Sequence, residues 1–187
     1  MQKLRLQEQL HEDVAQAVPP FAADSITLAR KMGSAAAPVL LEQINPQGEA
    51  SFLALEALRE AAPEVFHSLP SRLCADIYAE ALRTGDFYNT WGVPGHQLTD
   101  TANAFIGLGE TAVAVLRPLL DDKRDAPLSG SHEATTSKIY GNRLCDYAWV
   151  LISEIMGRPY VYSQDPAERD QAIQALRDEL NREIGHE

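Results

Sequence analysis

The chain has 187 residues, 45% of them hydrophobic and 23% charged, and a formal net charge of -11. This length and composition predict a soluble globular domain with a full core, and no run of about 18 apolar residues offers a membrane-spanning helix. The acidic charge disfavours nucleic acid as a partner and favours a basic protein. The charged N-terminus lacks the apolar centre of a signal peptide, so we expect a cytoplasmic protein.

The negative charge is unevenly distributed along the chain. Residues 1–31 contain four basic and four acidic side chains, whereas residues 42–110 contain ten acidic side chains against Arg59, Arg72 and Arg83, a net charge of -7. Such a region attracts a basic surface through long-range electrostatics. The alternative interpretation is that the charge serves only solubility.

Apolar side chains recur with the helical period from the start of the chain. The first helix carries its apolar stripe at Leu6, Leu10, Val14 and Ala17. Pro19 and Pro20 end this helix, and a second helix ends at Gly33. Residues 1–33 are therefore predicted to form an N-terminal helical segment.

Three pairs of helices are predicted over residues 35–157. They cover residues 35–44 with 49–62, 71–84 with 97–108, and 110–121 with 140–157. The third pair is interrupted by a polar segment at about 121–138, which has no apolar period and predicts an inserted loop. Glycine, proline and three aromatic residues make 86–95 a second loop.

A C-terminal helix is predicted over 165–184, because Asp165, Pro166 and Glu168 form a helix-start signature. Alternating apolar and polar residues are absent, so no strand is predicted. The sequence thus predicts an all-α protein of about eight to ten helices in a single domain, residues 1–187.

The third helix pair carries a recognisable set of residues where its first helix ends and its second begins. They are Pro118, Leu119, Leu120, Asp121, Asp122, Arg143 and Ala148. This set resembles a HEAT repeat, a family in which a first helix ends in Leu-Leu-x-Asp and a second begins with Val-Arg and carries an alanine-rich stripe. The resemblance implies a right-handed stack of antiparallel helix pairs, a short α-α superhelix, in which Asp121 or Asp122 pairs with Arg143.

Residues for catalysis or metal binding do not form recognisable motifs. None of the five histidines has metal-ligand spacing, and no nucleophile-elbow, P-loop or dinucleotide-binding glycine pattern occurs. Cys74 and Cys145 each lie in a helical pattern and are predicted to be buried free thiols, with a disulfide as the alternative. We therefore expect no catalytic residue, no metal and no cofactor.

Aromatic residues concentrate in two places, one in the loop that contains Phe87 and one around the helix that follows the inserted loop. Because tyrosine, tryptophan and arginine anchor protein interfaces, these places predict a docking patch. Its candidate residues are Tyr88, Trp91, His96, Tyr140, Arg143 and Tyr162. The alternative is that the rings fill the core beneath long loops, as we expect for Trp149.

Three functional hypotheses follow from the sequence. The first is a non-enzymatic, acidic protein–protein interaction domain, with an inhibitor or immunity-type protein as its specific form. The second is a structural or regulatory domain that forms homo-oligomers through its leucine-rich N-terminal helix. The third is a small-molecule or enzymatic role in a pocket between Trp91 and Tyr140.

Overall fold

The computed structural model describes residues 1–85 and 88–184, so Phe87 of the predicted aromatic loop lies outside the described residues. The fold is mostly helical, which confirms the all-α prediction. The chain divides into two compact units, Met1–Ala81 and Leu82–Glu187, called here the first and second units. The prediction of a single domain remains a prediction.

The first unit is built from helices joined by short connections. They are α1 (Gln2–Ala15), α2 (Asp24–Met32), α3 (Ala37–Gln43), α4 (Ser51–Ala61), α5 (Pro63–Ser68) and α6 (Ser71–Thr84), the last of which runs past the end of the unit. Two 3-10 turns, Pro20–Ala22 and Gly33–Ala36, connect the first three of these helices. Helix α4 packs against α1, α2, α3 and α5 and forms the centre of this unit.

Helix α1 is held in the first unit by apolar and polar contacts. Leu6 and Leu10 of its predicted stripe are fully buried. The buried Asp13 accepts a hydrogen bond through Oδ2 from the backbone N of Ser25 at 2.8 Å. This carboxylate satisfies a backbone N–H in the first turn of α2, which has no partner within its own helix.

The described part of the second unit contains five further α-helices. They are α7 (Asp100–Ile106), α8 (Glu110–Leu116), α9 (Ser131–Tyr140), α10 (Leu144–Ile155) and α11 (Pro166–Ile184). Helix α10 is buried along most of its length and contacts α7, α8 and α11. It is therefore the central helix of this unit.

A small antiparallel hairpin corrects the prediction that the chain contains no strand. Strand β1 (Gly92–Val93) pairs with β2 (Gln97–Leu98), and Gly92 lies opposite Leu98. A Cβ atom at Gly92 would lie 2.2 Å from the carbonyl oxygen of Gln97, and the φ of Gly92 is +90°. Two-residue strands are too short to show an alternating pattern, so no sequence signal predicts them.

The predicted helix 110–121 changes type before it ends. Residues Glu110–Leu116 are α-helical, whereas Arg117–Asp121 form a 3-10 helix. Pro118 has no backbone N–H and cannot donate to a carbonyl one turn earlier, which explains the change at this position.

The segment 121–138, predicted as an inserted loop, contains the start of a helix. Helix α9 begins at Ser131, and Gly141 follows it in the left-handed conformation with φ of 52°. The residues before α9 are tied to the start of α10 by backbone hydrogen bonds, including Ala126 N to Asn142 O at 2.8 Å. Helix α9 is rich in Ser and Thr, so it lacks the apolar period by which the other helices are recognised.

No single helix in the described part of the chain is long and apolar enough to cross a membrane. The pair Asp100–Ile106 and Glu110–Asp121 reaches the required length and composition only in combination, and it is bent by 104°.

Candidate functional site

Five aromatic rings in the second unit form a continuous series of contacts, called here the aromatic row. The ring centroids lie 5.3 Å apart for His96 and Tyr140, 5.6 Å for Tyr140 and Tyr162, 5.9 Å for Tyr162 and Trp149, and 5.6 Å for Trp149 and Tyr160. Tyr162 and Trp149 are stacked, with an interplanar angle of 19°. The separations are those of favourable aromatic pairs.

The row is assembled from four parts of the chain. His96 lies in the hairpin turn, Tyr140 is the last residue of α9, and Trp149 belongs to α10. Tyr160 and Tyr162 lie in the connector between α10 and α11. The hairpin approaches this connector closely, because a Cβ atom on Gly95 would lie 2.2 Å from the Cβ of Tyr162. A glycine at this turn therefore allows His96 to approach the row.

A buried arginine fixes the backbone that carries the row. The side chain of Arg169 on α11 is fully buried and donates to the carbonyl oxygens of Ser163 and Tyr140, both at 2.8 Å. It also donates to those of Gln164 and Gly141, both at 3.2 Å. Its guanidinium carbon lies 5.2 Å from the centroid of the Tyr162 ring, a cation–π contact. One side chain thus holds the end of α9 and the connector together.

The positive charge of Arg169 is balanced inside the unit by Asp146 of α10. Arg169 Nε lies 3.1 Å from Asp146 Oδ1, and both side chains are fully buried. This contact is an ion pair rather than a hydrogen bond, because Arg169 Nε has no partner of hydrogen-bond geometry among the described residues. A buried charge requires such compensation, so the two residues depend on each other.

The predicted pairing of Arg143 with Asp121 or Asp122 is wrong. Arg143 precedes α10 and binds Asp146, with Arg143 Nη2 2.9 Å from Asp146 Oδ1 and the Arg143 backbone N 2.9 Å from Oδ2. Asp121 instead pairs with Arg177 at 2.6 Å, and Asp122 accepts from Arg124 Nε at 2.9 Å. As the N-cap residue of α10, Arg143 lies over the first turn of its own helix and does not reach the preceding one.

Arg143 also reaches α11, where its Nη1 lies 2.8 Å from Asp170 Oδ1. The hydrogen bonds to Asp146, and the negative charge of that carboxylate, raise the pKa of Arg143. Hydrogen bonds from Lys123 and then Arg143 lower the pKa of Asp170. The side chain of Arg143 is only 11% exposed, so its described role is to join α10 to α11.

Three of the six predicted docking residues come together, and two lie in the core. His96, Tyr140 and Tyr162 belong to the aromatic row. Tyr88 and Trp91 are 7% and 2% exposed; the ring of Tyr88 contacts Tyr147 and the ring of Trp91 contacts Phe105. For these two rings the core-filling alternative describes their surroundings. A binding role for the six residues stays a prediction.

Sequence reasoning missed several residues of the site. Trp149 is 4% exposed, as predicted for a core residue, and its ring also contacts the rings of Tyr160 and Tyr162. The two tyrosines are separated by one residue, a spacing that places both side chains on one side of an extended segment. This spacing was the available signal for Tyr160. Arg169 had none, because its main partners are backbone carbonyls, which no pattern of side chains identifies.

A cleft of about 500 Å³ lies beside the end of the aromatic row. It is lined by the connector and by one face of α11: Trp149, Ser153, Arg158, Pro159, Tyr160, Val161, Ala172, Ala175, Leu176 and Glu179. Arg158 and Glu179 form an ion pair in it, and Tyr160 Oη donates to Glu154 Oε1 at 2.7 Å. Burial and then the hydrogen bond to Glu154 raise the pKa of Tyr160.

A second cavity, of about 560 Å³, is lined by Glu110, Val113, Ala114, Arg117, Ile155, Met156 and Leu180. Both cavities are walled mainly by apolar side chains with a few charged groups, a composition typical of binding sites. No group of three or more His, Cys, Asp or Glu side chains suited to a metal ion occurs within the described residues. The arrangement favours binding by shape and apolar contact.

Comparisons with protein-family models, with curated proteins and with solved structures found no match to this chain.

Proposed function

We propose that the chain is an acidic, non-enzymatic helical protein that binds a basic partner protein. The observation that carries this proposal is a set of exposed carboxylates in the first unit that form no ion pair with any described residue. They are Glu8, Glu12, Asp24, Glu42, Glu49 and Glu64. Residues 1–81 contain 11 acidic and 6 basic side chains, a net charge of -5 for this unit. Uncompensated surface charge accelerates association with an oppositely charged partner.

The aromatic row supplies the second requirement of a protein interface, which is partly exposed rings on a fixed support. His96 is exposed, and Tyr140, Tyr160 and Tyr162 are half-buried. Energetic hot spots in interfaces are enriched in aromatic residues, and a ring held by its neighbours loses little entropy on binding. The row is rigidly supported by Arg169, so it suits such a role.

The narrower form of the proposal is an inhibitor or immunity-type protein that neutralises a basic protein. Its size and charge and the steering that they provide agree with this role. Cytoplasmic location is part of the same proposal.

The experiment is an affinity pull-down from the native host with the full chain as bait, followed by mass spectrometry. Captured proteins are identified, produced, and titrated against the chain at about 50 mM and about 500 mM salt, because screening weakens steering by exposed charges. We expect a partner of high isoelectric point whose affinity falls steeply with salt. A partner that is acidic, or whose affinity does not change with salt, contradicts the proposal.

Two charge variants sharpen this experiment. Replacing Glu42, Glu49 and Glu64 by Gln removes three unpaired negative charges, and we expect the association rate to fall by about tenfold at low salt. The matched control replaces Lys3, Arg5 and Lys31 by Gln, which makes the same unit more acidic. The control is expected to bind at least as fast as the unchanged chain, and equal losses in both variants would contradict electrostatic steering.

A finer description of the fold is also proposed, in which the helix pairs stack with a right hand as in HEAT repeats. Within the first unit α3 packs on α4, and within the second unit α8 packs on α10. Contacts between such helix pairs support repeat-like packing. The crossing angles in an experimentally solved structure would test the handedness.

A further inference from the structure

The connector between α10 and α11 contains three consecutive residues with unpaired backbone groups. No backbone N–H or C=O of Tyr160, Val161 or Tyr162 forms a hydrogen bond with a described residue. The connector is bound at its two ends instead, through Arg158 N to Ser153 O at 2.8 Å and through Arg169 to the carbonyl of Ser163. A short stretch of free hydrogen-bonding backbone is thus fixed between two anchored ends.

Side chains alternate along this stretch as they do in a strand. The rings of Tyr160 and Tyr162 both contact Trp149, whereas Val161 between them is 88% exposed. Proteins usually protect free strand edges with charged side chains, prolines or a covering element. Here an apolar side chain occupies the middle of the edge, and Pro159 only precedes it. The segment has the form of an edge strand that no described residue pairs with through backbone hydrogen bonds.

The cleft of about 500 Å³ adjoins two of these three residues, Tyr160 and Val161. Tyr160 and Val161 form one wall, and Ala172, Ala175 and Leu176 of α11 are part of the other. Backbone pairing along an edge supplies affinity for an extended peptide, and an adjoining pocket supplies selectivity for one of its side chains. The free backbone edge and the adjoining pocket are both present on this surface.

The charges at this surface indicate which peptide it suits. Glu154 is exposed beside Tyr160 and accepts its hydroxyl hydrogen bond, and Glu179 lies in the cleft with Arg158. Two carboxylates against one guanidinium leave the surface acidic, and electron-rich aromatic faces also attract cations. An extended peptide with an apolar residue next to Lys or Arg is complementary to it.

We propose that Tyr160–Tyr162 is the docking edge for an extended, basic segment of the partner protein. The peptide pairs its backbone with this edge and places one side chain in the cleft beside α11. This inference rests on the proposed function, to which it adds the place and the mode of binding.

The probe is a set of synthetic peptides selected against the full chain from a phage-displayed library of random linear peptides. Amide hydrogen exchange at Tyr160, Val161 and Tyr162 is then measured by NMR with and without the peptide that binds best. We expect exchange at one or more of the three amides to slow by about tenfold, because strand pairing sequesters alternate N–H groups. Unchanged exchange at all three amides, or a library that yields no binding peptide, overturns the proposal.

A matched pair of variants tests the cleft separately. Ala175→Trp places a large ring in the cleft, whereas Ala167→Trp places the same ring on an exposed position of the same helix, outside the cleft lining. We expect Ala175→Trp to weaken binding of the selected peptide by about tenfold and Ala167→Trp to leave it within about twofold. Equal affinities for the two variants overturn the proposal, and melting curves confirm that both are folded.

The outcomes separate this inference from the proposed function. If a basic partner shows salt-dependent binding but its affinity is the same for Ala175→Trp and Ala167→Trp, the docking edge is wrong and the function stands. If selected peptides protect the edge but are neutral or acidic, binding at the edge stands. In that case the basic character of the peptide is wrong, and the salt titration of the captured partner decides the proposed function separately.

Discussion

Each unit contains a buried carboxylate paired with arginine, but the two networks stabilise different kinds of structure. In the first unit Glu56 of α4 accepts hydrogen bonds from Arg59 of the same helix and from Tyr78 of α6, at 2.9 and 2.7 Å. In the second unit Asp146 pairs with Arg143 and Arg169, and Arg169 also binds four backbone carbonyls. The first network joins two regular helices, whereas the second supports an irregular connector.

This difference explains why the candidate site lies in the second unit. Helices satisfy their own backbone groups, so the network around Glu56 only fixes how helices pack. The connector lacks such internal pairing, and the buried side chain of Arg169 binds its carbonyls at Ser163 and Gln164. Such a segment presents rings and free backbone groups in a fixed position, which a binding surface requires.

The largest expected effect comes from removing the centre of the second network. Arg169→Met should lower the free energy of unfolding by about 3–5 kcal/mol, because it leaves Asp146 partly uncompensated and four carbonyls without their donor. Urea unfolding followed by tryptophan fluorescence measures this change. The control is Arg182→Met on the same helix, where the side chain is exposed and the expected change is below about 0.5 kcal/mol. Similar losses in both variants would contradict the role assigned to Arg169.

A smaller effect is expected at the edge of the same network. Arg143→Ala removes the bonds to Asp146 and Asp170 but leaves Asp146 paired with Arg169, so we expect a loss of about 1–3 kcal/mol. A double-mutant cycle with Asp170→Asn separates the contribution of Asp170 from that of Asp146. An unchanged unfolding curve for Arg143→Ala would show that Arg143 does not stabilise this unit.

The sequence predicted the regular parts of the molecule better than the polar contacts. The apolar period identified α10, and the cap signature placed the start of α11, where Ala167 N donates to Asp165 Oδ1 at 2.8 Å. Helix α9 and the hairpin were missed, the first because it is polar and the second because its strands are two residues long. Apolar periods predict only the helices and strands that contain them, so a polar helix or a very short strand is not predicted.

The candidate site was only partly predictable for a related reason. The concentration of aromatic residues in two segments of the sequence predicted His96, Tyr140 and Tyr162 as candidates, and their rings are in contact. The same signal also predicted Tyr88 and Trp91, which are buried, because composition does not distinguish a ring in the core from a ring at the surface. Arg169 was missed because arginine is rarely buried and its carbonyl partners carry no sequence signal.

Alkaline pH should lower the free energy of unfolding through the thiol of Cys145. Burial, and then the charge of Asp146, raise the pKa of this thiol from 9.0 to about 11. Between these values the unfolded chain loses the proton and the folded chain keeps it, so the free energy of unfolding falls as pH rises. We expect a loss of about 1 kcal/mol from this group between pH 9 and 10.

Cys145→Ala is the comparison for this pH effect, since it removes the titrating group and should give a shallower decline of stability over the same interval. The tyrosines remain in both proteins, so the difference between the two curves isolates the thiol. Parallel curves would show that Cys145 has the same pKa in the folded and unfolded chains.

The smallest effect compares two tyrosine hydroxyls that both donate to a glutamate at 2.7 Å, one in each unit. Tyr78 is fully buried and donates to Glu56, whereas Tyr160 donates to the exposed Glu154. Tyr78→Phe should cost about 0.5–1.5 kcal/mol of unfolding free energy, because it leaves a buried carboxylate with one donor fewer. Tyr160→Phe should cost less than about 0.5 kcal/mol, since water replaces the lost donor at an exposed oxygen. Thermal unfolding of both variants measures the two costs.

If Tyr160→Phe were the more costly change, the connector would depend on this hydroxyl as well as on Arg169. The claim that Arg169 is the main support of the connector would then be wrong.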